Sequence, residues 1–249
     1  MCASTRPRDG WGGSGKTVKR GAAGAVSTRI NADFSRRAIV TPRQYRWVAS
    51  PQEGVERVML DRVGAEKARA TSIVRYAPGS WFPRHPHPGG EEILVLSGMF
   101  SEGEAHYPAG WYLRNPPGSS HQPSSGEGAL IFVKLWQMRP DDRRSVRIDT
   151  RDPAAWSRQA GGAVCRLFSD AFEQVCLRRL APHETLPAAP DGGTELLVLS
   201  GEMVADGQRC DSGSWIRLPA GDRARIRAGG YGATVYLKTG HLAAAAMEA

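Results

Sequence analysis

Long hydrophobic runs are missing from this 249-residue chain. Apolar stretches such as residues 93–96 and 129–133 fall far short of the roughly 20 residues that a bilayer-spanning helix needs. No secretory hydrophobic segment follows the basic N-terminus, so no membrane association is expected and the cytoplasm is the expected location. Cysteine is scarce as well. Cys2, Cys165, Cys176 and Cys210 form no C-x-x-C pair, which argues against a zinc ribbon or a disulfide framework. Cys165 and Cys176 sit among apolar residues and are expected as buried, reduced thiols. Histidine is limited to six residues. The body of the chain also lacks a charge excess. The net charge is +8, but residues 1–46 hold ten Lys/Arg against two Asp/Glu, leaving 23 of each sign in the remainder. A basic surface for nucleic acid is therefore not expected on the folded part.

Glycine (29) and proline (17) are plentiful, which favours many turns and short strands over a helical bundle. Residues 1–30 are rich in Gly, Ala, Ser, Thr and Arg without apolar periodicity, and are expected to be a disordered basic tail. Within them, residues 10–17 (GWGGSGKT) match the letters of a phosphate-binding loop. The strand before and the helix after that such a loop requires are not legible, so no nucleotide site is assigned. From Arg43 onward, short apolar stretches alternate with turn signals. Strands are expected at 70–76, 92–96, 111–114, 129–136, 174–180, 196–199, 214–218 and 233–238. Such spacing reads as an all-β sandwich or barrel.

An internal repeat sharpens that reading. PGGEEILVLSG at 88–98 recurs as DGGTELLVLSG at 191–201, and GWYLRNPPG at 110–118 recurs as GSWIRLPAG at 213–221. ALIFVK at 129–134 returns as ATVYLK at 233–238. A period near 100 residues is a domain duplication, with the seam near 139–152. The expected organisation is residues 1–30 as tail, 31–139 as a first domain and 140–249 as a second.

In the first repeat, Gly79 is followed after five residues by His85, then by His87, Glu91 and Gly98; Gly110 leads through Pro116 and Gly118 to His121. The pattern resembles the two cupin signatures, G-x5-H-x-H-x3-4-E-x6-G and G-x5-P-x-G-x2-H-x3-N, with Ser125 where the last Asn is expected. The physical chemistry agrees. His85 and His87 are two residues apart and would share one face of a strand, and every second residue of a barrel strand points inward. Glu91 and Glu92 compete for the carboxylate place; parity with the histidines and the spacing to Gly98 favour Glu91. Three imidazoles and one carboxylate suit Zn, Fe, Mn, Ni or Cu better than Ca or Mg. His106, His183 and His241 match no pattern and are expected on the surface or in loops. In the second repeat the corresponding residues are Ala188, Pro190, Thr194 and Ala224, so no metal is expected there. Glu195 matches Glu92, which points to a structural task for that position.

Residues from about 31 to 137 resemble ChrR-like cupins. The likeness rests on Gly54-Val-Glu56, residues 70–76 (ATSIVRY), His85-Pro-His87, Gly89-Gly-Glu-Glu92, Tyr107-Pro-Ala-Gly110, Arg114-Asn-Pro-Pro117 and Val133-Lys-Leu-Trp136. It implies two tandem double-stranded β-helix (jelly-roll) barrels and one divalent metal, zinc or iron, held by His85, His87, Glu91 and His121. In the anti-sigma relative the cupin metal is zinc, in an oxidative-stress response, and a separate domain with an H-x3-C-x2-C motif binds the sigma factor. That motif is absent here. Similar small cupins are iron dioxygenases that cleave diketones or hydroxy-ketones. Two functions are thus expected in competition: a metal-dependent dioxygenase acting on a small-molecule substrate, with Glu91 as a base, and a non-enzymatic zinc sensor. A homodimer is expected. Trp81, Tyr112 and Arg114, with Phe82 and Trp111, are candidate pocket residues, and Arg75 and Arg114 are candidate anion binders.

Overall fold

The computed structural model describes residues 29–64, 68–187 and 191–245. The expected tail and the loop-like segment at 10–17 lie outside the described residues, apart from Arg29–Ile30. That pair forms a short strand against Arg62 and Val63, so order begins before residue 31.

The described chain is almost entirely β. An 11-stranded sheet, a 9-stranded sheet and a two-stranded ribbon account for the strands. In the larger sheet the central order is Val55–Val63, Arg69–Tyr76, Ala129–Leu135, Glu91–Glu102, Trp111–Asn115. The other sheet repeats it as Gly162–Ser169, Gln174–Leu180, Ile226–Thr239, Thr194–Ala205, Trp215–Leu218. The duplication read from the letters is thus also a duplication of topology. Gly98 and Gly201 are equivalent tight points in it. Both have positive φ (71° and 74°), and a Cβ would fall 2.0 Å from the Gly128 carbonyl oxygen or 2.3 Å from that of Gly232. Only glycine fits such a bulge.

Backbone pairing among the described residues leaves both large sheets open instead of closing each into a barrel. The two halves also exchange edge strands. Val146–Asp149, just after the first repeat, pairs with Trp111–Asn115 of the first sheet, while Ala38–Val40 pairs with Trp215–Leu218 of the second. In each half one edge of the sheet is thus covered by chain that precedes the other half, which pairs backbone that would otherwise be open.

Strand alternation then sorts side chains into three cores. In Ala129–Leu135, Ile131 and Val133 face the interior of the first half, with Val55, Ile93, Phe100 and Leu113. Phe132 faces the other way, into a core shared by both halves, where it meets Tyr236 edge-on at 5.1 Å. Phe132 and Tyr236 occupy equivalent places in the repeat, so the shared core lies on an approximate two-fold axis. A third cluster fills the second half. Each large aliphatic side chain buried in these layers contributes roughly 1.5–3 kcal/mol.

The shared core also holds buried ions, arranged reciprocally. Lys134 of the first half meets Glu195 of the second at 2.6 Å, and Lys238 of the second meets Glu92 of the first at 2.7 Å. Arg114 bonds Asp142 (2.9 Å) and Glu173 (2.7 Å), and Arg217 bonds Asp61 (3.2 Å). This is the structural task anticipated for Glu92 and Glu195: the two carboxylates cross-link the halves. His241, expected on the surface or in a loop, instead has a side chain only 2 % exposed and hydrogen-bonds Glu195 at 3.0 Å.

Candidate metal centre

Three short segments build the site. Strand His85–His87 pairs antiparallel with Ser119–His121, placing His121 directly opposite His85. Directly opposed residues have close Cβ atoms, and His87 shares the face of His85 by the two-residue period. The three imidazole centroids lie 4.5–5.0 Å apart. The chain then turns at Gly89-Gly90. Gly90 adopts φ 75° and donates its N–H to the His87 carbonyl at 3.1 Å, which aims Glu91 at the same space. One donor atom from each of His85, His87, Glu91 and His121 lies within 4.8 Å of the others. The four residues form a cluster that could hold a metal ion.

Strand parity decides between the two carboxylates. Glu91 faces the histidines, and its Oε2 is 3.4 Å from Nε2 of both His87 and His121. Glu92 points to the opposite face and into the shared core, where Lys238 and the Tyr236 hydroxyl bond it.

The surroundings fix the rings. His85 Nδ1 donates to the Pro83 carbonyl at 2.8 Å, and His121 Nδ1 donates to Glu102 at 2.5 Å. Both arrangements leave Nε2 free to act as a ligand. Glu102 is in turn held by Arg147 (2.9 Å) and Asn115 (3.1 Å), and Asn115 also donates to Glu91 at 3.1 Å. Arg147 comes from the exchanged strand Val146–Asp149, so the chain between the repeats braces the site.

Electrostatics follow from burial. The His87 pKa is pushed down to about 3 by desolvation, reinforced by His121 and His85. His85 is lowered mainly by desolvation as well. Burial raises the Glu91 carboxyl against the opposing pull of His121 and Asn115. For His121, desolvation is outweighed by the hydrogen bond to Glu102 and the charge of Glu91, and its pKa rises. Nε2 of His87 and of His121 are buried and make no hydrogen bond. Two orphaned, inward-facing imidazole nitrogens beside a buried carboxylate fit a divalent transition metal as the missing partner.

A cavity of about 380 Å³ adjoins the cluster. His85, His87 and Glu91 line it, together with apolar side chains that include Tyr76, Phe82, Phe100, Ile131 and Val133. Four of the expected pocket residues lie elsewhere; Trp111 packs against Tyr107, ring centroids 5.3 Å apart. Trp81 is 49 % exposed, one residue from Phe82, which does line the cavity. Tyr112 and Arg114 occupy alternate positions of their strand and face the shared core, where the Arg114 guanidinium stacks 3.7 Å from the Phe168 ring centroid. Arg75 pairs with Glu56 at 2.5 Å on the surface. Ser125, in the place expected for Asn, donates to the Met99 carbonyl at 2.6 Å. Glu102, Asn115 and Arg147 escaped the sequence reading, because their role depends on pairings across strands.

In the second half, Thr194 and Ala224 are buried at the positions equivalent to Glu91 and His121. The equivalents of His85 and His87, at 188 and 190, lie outside the described residues.

Comparisons with known proteins agree on the fold. Residues 35–139 match the ChrR cupin-like domain family. No protein of curated function matches the sequence. Among solved structures, a candidate dioxygenase from Nostoc punctiforme aligns over 86 % of this chain and 92 % of its own, at 17 % identity and TM-score 0.64. The pirin YhhW from Escherichia coli, solved in complex with nickel(II), aligns over 82 % and 98 %, at 12 % identity and TM-score 0.60. A cupin 2 conserved barrel domain protein from Leptotrichia buccalis aligns over 77 % and 91 %, at 11 % identity and TM-score 0.54.

Proposed function

We propose, from the match of residues 35–139 to the ChrR cupin-like domain family, that the chain is a metal-dependent enzyme of the dioxygenase type acting on a small diketone or hydroxy-ketone. In this reading each half is a jelly-roll barrel. The first holds one divalent metal, iron before zinc, through His85, His87, Glu91 and His121; the second supplies packing and no ligands. The observation that carries the reading is the cavity beside the cluster: His85, His87 and Glu91 open onto a largely apolar space of about 380 Å³, within the size range of small-molecule sites.

A metal held there supplies a Lewis acid and template for the substrate's two oxygens and, as iron, reactivity toward O₂. The chain's own residues do the rest. The Pro83 carbonyl and Glu102 fix the tautomers of His85 and His121. Asn115 steadies Glu91. Glu91, on leaving the metal, would take a proton from an acidic carbon of the substrate. Tyr76, Phe82, Phe100 and Ile131 exclude water from the space where the substrate carbons sit.

The test pairs metal analysis with oxygen uptake. Purified protein reconstituted anaerobically with Fe(II) should retain about one metal per chain and consume O₂ with 2,4-pentanedione or a hydroxy-ketone. Tightly held zinc without turnover of any carbonyl compound would support the sensor reading instead, since four protein ligands can close a tetrahedral zinc site. The candidate dioxygenase of similar fold supports the enzymatic reading, and the nickel-bound pirin supports a transition metal.

A further inference from the structure

The cavity beside the metal cluster contains one cation that the protein leaves uncompensated. Arg57 lies on strand Val55–Val63, whose Val58 and Leu60 face the shared core while Val55 and Arg57 line the cavity. Its register neighbours are Val48 and Val74, neither of which can answer a charge. Arg57 is half-buried; its Nε is buried and has no hydrogen-bond partner, and no ion pair of its guanidinium is found among the described residues. The nearby Arg62 feels Arg57 as a like charge, and burial pulls the Arg57 pKa down.

Elsewhere this protein pairs its interior arginines carefully. Arg114 has Asp142 and Glu173, and Arg217 has Asp61. A half-buried guanidinium whose buried Nε lacks a partner carries a desolvation cost, and one lining a largely apolar cavity is a ready fork for a carboxylate.

We propose that Arg57 binds the carboxylate of the cavity's ligand, and that this ligand is a small organic acid whose other oxygens reach the histidine cluster. The inference rests on the metal-site reading and narrows it, from neutral diketones to keto acids. The apolar walls between Arg57 and the cluster suit a short carbon chain joining the two polar ends. The cation that matters is thus neither Arg75, spent on Glu56, nor Arg114, locked between the halves.

The experiment compares 2,4-dioxopentanoate with its neutral analogue 2,4-pentanedione, by calorimetric titration of the full chain after its metal content has been measured. In wild type the anion should bind more tightly than the neutral compound. Arg57→Gln should weaken the anion about 10- to 100-fold, the scale of a lost charge-assisted bidentate contact, and change the neutral probe less than twofold with metal content unchanged. Arg57→Lys keeps the charge without the fork and should fall between the two; it also serves if Arg57→Gln folds poorly. Equal weakening of both probes, or of neither, overturns the assignment. Failure to retain metal overturns the metal reading alone. The Arg57 contribution to anion binding should persist in chelator-treated protein, and its absence there as well as in loaded protein would refute the proposal.

Discussion

Glu102 offers a stringent check on how the site is built. Its carboxylate accepts the His121 Nδ1–H at 2.5 Å, with an Arg147 guanidinium at 2.9 Å behind it. That bond holds the imidazole in the tautomer whose Nε2 faces the other ligands. Loss of such a supporting partner typically weakens metal binding 10- to 100-fold, about 1.4–2.7 kcal/mol. Glu102→Gln retains an amide oxygen able to accept the same proton, but without charge, and should sit near the lower end. Glu102→Ala leaves His121 free to rotate and strands Arg147, and should sit near the upper end. A competition titration against a chromogenic chelator measures both, with circular dichroism confirming that the fold survives. If Glu102→Ala binds metal as tightly as wild type, His121 is not oriented by Glu102 and the account of the site is wrong.

His121→Ala removes a ligand outright and should reduce metal occupancy well below one per chain, read by elemental analysis; unchanged occupancy would mean the metal binds elsewhere. Lys134→Met leaves Glu195 buried opposite an apolar side chain and should cost about 3–5 kcal/mol in urea unfolding; a loss under 1 kcal/mol would show that the Trp215 indole N–H, which donates to Glu195 at 2.7 Å, suffices for that carboxylate. The buried His241 ring has its pKa pushed down to about 3, chiefly by desolvation and against the pull of Glu195. A histidine in the unfolded chain takes its proton near pH 6.5, so below that pH the unfolded state binds a proton the folded ring refuses. Its share of stability is therefore present above about pH 6.5 and falls by about 1.4 kcal/mol per pH unit toward pH 3. Urea midpoints between pH 7 and 4 should show a shallower decline in His241→Gln, and parallel curves would contradict this assignment.

Much of this protein is written locally. The turn glycines and apolar alternation locate its strands, and the repeat announces two like halves. The strand Val55–Val63 was not legible, because its alternate residues face two different cores and its charged members, Arg57, Asp61 and Arg62, mask the apolar ones. Gly162–Ser169 was missed for a similar reason, with Arg166 interrupting Val164, Leu167 and Phe168. Edge exchange was invisible too, since short strands such as Ala38–Val40 carry no signal of which half they will join.

The sequence by itself determined the four metal-ligand candidates, because a two-residue spacing on a strand and a glycine turn are local facts that hold in any packing. It determined that the chain repeats. Only the tertiary structure decided that Glu102 and Arg147 brace His121, and that Tyr112 and Arg114 belong between the halves while Arg57 lines the cavity. The physical reason is the same in each case. A strand offers two faces, and which of them meets a cavity, a partner half or solvent depends on what other strands, distant in the chain, pack against it.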